Sequence, residues 1–235
     1  MSTSVKTEDS MILAAKTVAE NHIESGMIVG LGSGSASSKF AASLGELVKK
    51  GQLKDIAVVP SSMQAWLLAE HNSLTLYSDS AHCPDSLDAA VDGADQISLR
   101  TRSMIKGGGG ALLREKIILS ASKHSYILVD SSKVTENLDR SIPVEVVQFA
   151  VNSVHERIKS EFSAEPVLRV LEKGYPFFTE SGNVILDCRN FDSIEEPSQL
   201  ELSLKSVPGV VEVGIFNCKV DKFYVGGQNG SYESH

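Results

Sequence analysis

Asp92-Gly93-Ala94-Asp95 and the segment Lys106 to Lys116 hold the residues of this chain best suited to chemistry. Asp92 and Asp95 follow directly on the apolar run Leu87 to Val91, which ends as a buried strand would. Lys106 precedes the glycines Gly107, Gly108, Gly109 and Gly110. Glu115 comes shortly after them, where an amphipathic helix begins. Each part has an ordinary structural use. Asp-Gly is a common turn, and an acid near a helix start is favoured by the helix dipole. The conjunction asks for more. A glycine inside ordered structure costs roughly 1 kcal/mol in backbone entropy, so a run of them implies close approach of backbone to a ligand. Successive N–H groups of such a loop form an anion-binding concavity, and the helix N-terminus that follows adds to it.

A second small-residue loop lies at Gly30-Leu31-Gly32-Ser33-Gly34-Ser35-Ala36-Ser37. It fails as a dinucleotide fingerprint. Counting G-x-G-x-x-G from Gly30 lands on Ser35, counting from Gly32 lands on Ser37, and no acid ends a second strand at the required distance. A Walker lysine is missing as well. What remains is strand, hydroxylated loop and helix N-terminus. It fits one phosphate or a cluster of sugar hydroxyls, held by backbone N–H groups and the Ser33 and Ser35 hydroxyls. The alternative is a tight structural turn.

The elements that must position these loops alternate. Asp9 or Ser10 caps a first helix, with Ile12, Ala15, Val18, Ala19 and Ile23 on one face. Met27 to Leu31 reads as a strand, followed by a helix with Phe40, Leu44 and Leu47 at helical spacing. Ile56 to Val59 is a strand with Ser61 and Ser62 after it. A helix over Gln64 to Glu70 carries Trp66, Leu67 and Leu68. Strands at Leu74 to Tyr77 and Ala89 to Val91, a helix from Leu112 to Ser122 and a strand from Tyr126 to Val129 continue the pattern. This predicts an α/β fold with a Rossmann-like, doubly wound, mostly parallel sheet. Ligands of such sheets sit beyond the carboxyl ends of the strands, where the Ser33 loop, the Asp92 turn and Lys133 would meet.

The pattern changes near Asp139. A strand from Val144 to Val147, a helix from Ala150 to Glu161 and a strand from Val167 to Val170 come first. Tyr175 to Thr179 and Val184 to Asp187 flank the hairpin signal Ser181-Gly182-Asn183, and Gln199 to Ser206 is helical. This predicts a smaller inserted α+β, ferredoxin-like domain over residues 139–210. The catalytic α/β domain takes 1–138 and 211–235, rejoined by strands at Val210 to Phe216 and Lys219 to Val225. The Gly/Ser-rich tail after Val225 is expected to fray.

Composition narrows the classes. The 235 residues are 42% hydrophobic and 22% charged, with a formal net charge of -8. That is a globular composition whose acidity argues against a nucleic-acid surface. Three cysteines and six histidines stand at no metal-ligand spacing, so no metal is expected and the thiols suit a reducing, cytoplasmic compartment. No secretory signal and no apolar run of the ~20 residues a membrane span needs is read.

Taken together in this order, the motifs resemble the type A ribose-5-phosphate isomerases. The matching blocks include Gly30-Leu31-Gly32-Ser33-Gly34-Ser35, Asp92-Gly93-Ala94-Asp95, Lys106-Gly107-Gly108-Gly109, Arg114-Glu115-Lys116-Ile117 and Asp130-Ser131-Ser132-Lys133. They continue through Pro143-Val144-Glu145-Val146, Gly182-Asn183-Val184-Ile185-Leu186-Asp187 and Pro208-Gly209-Val210-Val211, nearly the whole chain. The resemblance implies interconversion of ribose 5-phosphate and ribulose 5-phosphate, in the pentose phosphate pathway, without metal or organic cofactor. It implies Glu115 as general base, with Lys106, Asp92 and Asp95 as polar partners. Ser33, Gly34, Ser35, Ala36, Gly93, Ala94, Gly107, Gly108, Gly109 and Lys133 would hold substrate. It also implies a homodimer or homotetramer with the inserted domain at subunit contacts, in line with the apolar Phe177, Phe178 and Val184, which need cover.

The residue types suit the chemistry. Aldose–ketose exchange passes through an enediolate and needs one base serving two adjacent carbons; a positioned base contributes about 10²–10⁴-fold. A fixed cation such as Lys106 stabilises the developing oxyanion, and Asp92 or Asp95 can assist ring opening. The chain departs from the family at Gln96, where Glu is usual, at Ala36, where Thr is usual, and at Leu113 in place of a common Thr. Ile12 stands where the family often carries a phosphate-directed lysine, leaving Lys16 or Lys133 as substitutes. Two rival readings are a sugar-phosphate deaminase on the same fold, which wants a catalytic histidine near the acids, where the nearest, His82 and His124, stand in no motif, and a non-catalytic sugar-phosphate-binding protein, against which the intact Glu115 and Lys106 argue.

Overall fold

The computed structural model describes residues 3–79, 82–191 and 194–235. Its helices are α1 Thr3–His22, α2 Gly34–Lys49, α3 Met63–His71, α4 Leu112–Ala121, α5 Val151–Phe162 and α6 Pro197–Lys205. Its strands are β1 Ile28–Leu31, β2 Ala57–Pro60, β3 Thr75–Leu76, β4 Leu87–Gly93, β5 Gln96–Ser98, β6 Ser103–Ile105, β7 Ser122–Asp130 and β8 Val134–Thr135. The remainder are β9 Ile142–Val146, β10 Glu165–Leu168, β11 Val184–Arg189, β12 Val210–Val213, β13 Ile215–Phe216, β14 Lys222–Gly226 and β15 Tyr232–Ser234. The chain divides into two compact units. The first is Met1–Ala94, Arg114–Val134 and Cys218–His235; the second is Asp95–Leu113 and Thr135–Asn217. The second unit therefore takes in Asp95–Leu113 as well as the segment around 139–210.

The first unit is built on a seven-stranded sheet of order β15-β14-β7-β4-β1-β2-β3. Every pairing in it is parallel except the edge pair β14–β15. Alternate residues of the central strands face opposite sides. Val29, Leu31, Val91 and Leu128 join a core with Phe40 and Leu44 of α2. Ala90, Ile127 and Val129 are equally buried on the other side. Burial of both faces is what a parallel sheet covered by helices requires.

Several boundaries differ from the sequence reading. Helix α1 starts upstream of Asp9 and Ser10, which lie inside it. Its buried face runs through Met11, Ala14, Ala15 and Val18, leaving Ile12 48% exposed. In α3 the buried face is Ala65 and Ala69, while Leu67 is 54% exposed; small residues let the helix sit close, and the larger ones turn outward. The tail does not fray throughout, since Tyr232–Ser234 pairs antiparallel with β14.

In the second unit, β10-β11-β9-β12 form an antiparallel sheet. Ile142, Val144 and Val146 alternate inward to meet Val154 and Ile158 of α5 and Leu204 of α6. A second small sheet joins β13, β6 and β5, with β5 and β6 a hairpin that the sequence reading did not foresee. The hairpin turn at Ser181-Gly182-Asn183 is present, closed by Gly182 N–H to Thr179 O. Its first arm is reduced to isolated bridges. The expected strand Val210 to Phe216 breaks at Gly214. Neither half joins the seven-stranded sheet: Val210–Val213 pairs with β9 and Ile215–Phe216 with β6. Of the two strands expected to rejoin the first sheet, Lys222–Gly226 alone does so, parallel to β7.

Candidate active site

Within the first unit, three expected ligand segments share one edge of the sheet. β1, β4 and β7 are parallel neighbours, with Leu31 opposite Val91 and Gly93 opposite Leu128. Their carboxyl ends therefore carry the Ser33 loop, Asp92 to Ala94, and the turn that leads to Lys133 on one side of the sheet. Asp92 is 2% exposed. Its Oδ1 accepts from Gly93 N–H at 2.7 Å, and Ser37 Oγ lies 3.5 Å away. Gly32 is what admits it: a Cβ there would stand 1.9 Å from Asp92 Oδ1.

Ser33 is the N-cap residue of α2 but makes no side-chain cap bond. Its hydroxyl instead shares hydrogen bonds with Ser61 Oγ at 3.0 Å and Ser62 Oγ at 2.7 Å. Gly34 N–H donates to Gln64 Oε1 at 3.0 Å. Ser61, Ser62 and Gln64 thus belong to this loop's surroundings. Their only sequence signal was a pair of hydroxyls directly after a strand of the same sheet. Ser35 is exposed, whereas Ala36 is 5% exposed, packed into the core and facing Gly93. Its methyl is therefore part of the core packing and not of the exposed surface of the loop. Lys133 Nζ donates to Ala94 O at 2.8 Å and so ties the acidic turn to the strand beside it. Lys16 pairs with Glu20 along α1 at 3.6 Å. Glu115 stands in the first turn of α4 and is 5% exposed.

Within the second unit, Asp95 and the glycine loop meet directly. Asp95 Oδ2 accepts from Gly108 N–H at 2.8 Å, and Asp95 N–H donates to Ile105 O. Gly110 N–H closes the loop onto Gly107 O at 3.0 Å. Lys106, 3% exposed, is anchored through its N–H to Gly214 O, and its ammonium lies 5.5 Å from the centre of the Phe216 ring. A cation over an aromatic face is stabilised without losing its charge.

Gln96 is held within the second unit. Its Oε1 accepts from the backbone N–H groups of Asp139 and Arg140, and its Nε2 donates to Asp139 Oδ1. A glutamate in this orientation would set one carboxylate against another, so the departure at Gln96 is matched by Asp139. His82 pairs with Asp79, both of them exposed, and His124 faces Asp221 at 3.6 Å. Among the described residues no cluster of three or more His, Cys, Asp or Glu is placed to hold a metal, and no helix is long and apolar enough to cross a membrane.

Residues 57–230 match the family described as ribose 5-phosphate isomerase A (phosphoriboisomerase A). The chain belongs to that family. It is 40% identical over 217 residues to the ribose-5-phosphate isomerase A of Thermosynechococcus vestitus, covering 91% of this chain and 89% of the relative. It is 41% identical over 219 residues to that of Methanosarcina acetivorans, covering 93% and 91%. The ribose 5-phosphate isomerase A structure from Methanocaldococcus jannaschii superposes with a TM-score of 0.88 at 34% identity, covering 97% of this chain and 98% of that one. A D-ribose-5-phosphate isomerase solved in complex with phospho-erythronic acid also scores 0.88, at 36% identity, covering 96% and 97%. The family's α/β, Rossmann-like fold is the one described above. Its relatives favour isomerase chemistry over the deaminase and binding-protein readings.

Proposed function

We propose that Glu115 is the general base for the reaction that goes with this family, the interconversion of D-ribose 5-phosphate and D-ribulose 5-phosphate. The observation that carries the assignment is its burial, 5% exposed, in the first turn of the helix that follows the glycine loop. A buried carboxylate can take a carbon-bound proton and return it to the neighbouring carbon without exchanging it with bulk water. In the forward direction Glu115 takes the proton from C2 of the open-chain aldose. The electron pair moves into a C1–C2 double bond and the C1 oxygen becomes anionic. The proton of the C2 hydroxyl passes to the anionic C1 oxygen, which becomes the C1 hydroxyl, while the same carboxyl returns its proton to C1 and C2 becomes the ketone. Lys106 offsets the oxyanion charge, and Asp92 or Asp95 moves the proton that ring opening requires. Ser33, Gly34, Ser35, Gly93, Ala94, Gly107, Gly108, Gly109 and Lys133, with the backbone of Ala36, hold the sugar phosphate.

A coupled assay with ribose 5-phosphate and a calorimetric titration test this together. Glu115→Gln is expected to bind the substrate and lose turnover. A variant that kept near-native kcat would remove Glu115 from the role.

The protein is read further as a cytoplasmic homodimer or homotetramer. The support lies in the second unit, where Phe149 is fully exposed and Tyr175, Phe178, Val170 and Leu171 are each more than half exposed. Val184 does not contribute, because it is 3% exposed within its own unit's core. Light scattering at micromolar concentration is expected to give a multiple of the monomer mass, and a monomer would refute this.

A further inference from the structure

We infer that Arg169, oriented by Asp187, is a positioning residue that sets the direction of the glycine-loop peptides and, through one of them, of Asp95. The inference rests on the roles proposed above for Asp95 and the glycine loop. Arg169 follows β10, and its backbone is held on both sides: its N–H donates to Ile185 O at 2.8 Å and its carbonyl accepts from Phe177 N–H at 2.9 Å. Its guanidinium meets Asp187 of β11 through two bonds, Nε to Oδ2 at 2.9 Å and Nη2 to Oδ1 at 2.6 Å. Side-chain exposure of the pair is 15% and 23%. A bidentate pair of this kind fixes the guanidinium plane as well as its position. The Phe177 ring, 5.8 Å from the guanidinium carbon, packs beside it.

With Nε and Nη2 engaged, Nη1 is left for the loop. It donates to Gly107 O at 2.8 Å and to Gly108 O at 3.2 Å. Phe177 also bounds the far end of the loop, where a Cβ on Gly110 would lie 2.4 Å from its ring. In a trans peptide the N–H points opposite to the C=O. Two successive carbonyls turned toward one cation therefore send the N–H groups of Gly108 and Gly109 away from it. Gly108 N–H is the one received by Asp95 Oδ2 at 2.8 Å. A single peptide group thus lies between the Arg169 cation and the Asp95 anion, its dipole aligned with both. Such chains of hydrogen bonds strengthen one another. The Gly109 N–H is directed by the same cation. Arg169 was not among the residues that the motifs singled out, because its partners in the glycine loop lie some 60 residues away in sequence.

The test uses Arg169→Lys, Arg169→Ala and Asp187→Asn in the full-length protein, with folding followed by circular dichroism and thermal unfolding. Loss of loop direction is expected to lower kcat by about 10–100-fold in Arg169→Ala and Asp187→Asn, with KM changed less than about threefold. Arg169→Lys, which keeps one donor, is expected to fall between them and the parent. Added methylguanidinium is expected to restore part of the kcat of Arg169→Ala. If Arg169→Ala does not fold, Arg169→Lys and Asp187→Asn carry the result. The inference is overturned if the folded variants keep kcat within about threefold of the parent. It is also overturned if the loss follows only the folded fraction and methylguanidinium restores nothing. Either outcome alongside an inactive Glu115→Gln would sink the role of Arg169 alone. Turnover by Glu115→Gln would sink the base assignment instead.

Discussion

Gly32→Ala is the sharpest perturbation available at the first-unit edge. The added methyl would lie 1.9 Å from Asp92 Oδ1 and 2.0 Å from its Cγ. Ordinary contact begins at 3.4 Å, so the carboxylate would have to retreat by about 1.5 Å. Asp92 is 2% exposed and its Oδ1 is held by Gly93 N–H at 2.7 Å, so the movement breaks that bond. Overpacking of this kind costs about 1–3 kcal/mol, equivalent to a fall in Tm of roughly 2–12 °C for a chain of this size. Displacement of a reacting group by about 1 Å lowers kcat by about 100-fold. Thermal unfolding and the coupled ribose 5-phosphate assay read the two effects separately. The decisive control is Asp92→Gly, which removes the carboxylate and also the Asp92 Cβ that would lie 2.7 Å from the added methyl. In that background Gly32→Ala is expected to cost almost no further stability. Equal destabilisation in both backgrounds, or a Gly32→Ala enzyme with native Tm and kcat, would refute the steric reasoning.

Other expectations follow from buried polar groups. Glu145 Oε1 accepts from Thr179 Oγ1 at 2.8 Å and Asn183 Nδ2 at 2.9 Å, while its buried Oε2 has no hydrogen-bond partner among the described residues. Thr179→Val should therefore lower stability by about 1–3 kcal/mol, read as a lower urea midpoint at unchanged slope. His22 stacks on Tyr126 at 4.3 Å and bonds Tyr224 OH at 2.6 Å; burial, then the nearby Lys222 and His124, hold its pKa below the ordinary 6.5. The folded state thus resists protonating it. Between that lowered value and 6.5 stability is expected to fall as pH falls, and the dependence should vanish in His22→Phe. Burial, then Asp187, pushes the Cys188 thiol up to about 12. A thiol reagent at neutral pH is expected to modify the exposed Cys83 and to reach Cys188 only on unfolding.

Local pattern was enough for the β-α alternation of the first unit, for the helix that carries Phe40, Leu44 and Leu47, and for the hairpin at Gly182. Periodicity and turn chemistry act over a few residues and are written in the chain itself. The candidate groups Asp92, Asp95, Lys106 and Glu115 could be nominated for the same reason, because they lie in short local clusters, although each alone has an ordinary structural use. Pairing partners were not legible. Val210 to Phe216 reads as one apolar strand, yet Gly214 N–H bonds Pro143 O and its carbonyl receives Lys106 N–H. The run is thereby divided between two sheets, each half satisfied by a strand distant in sequence. The tail past Val225 has a loop's composition and becomes an edge strand because β14 offers it a ladder. Ala36 looks like one more member of a phosphate loop until packing turns its methyl into the core. Arg169 has no motif at all, because a guanidinium acquires its role only when folding brings Asp187 to one side of it and two glycine carbonyls to the other. Residue types settle which chemistry is available to this chain. Non-local hydrogen bonding and close packing settle which of those groups are held still enough to perform it.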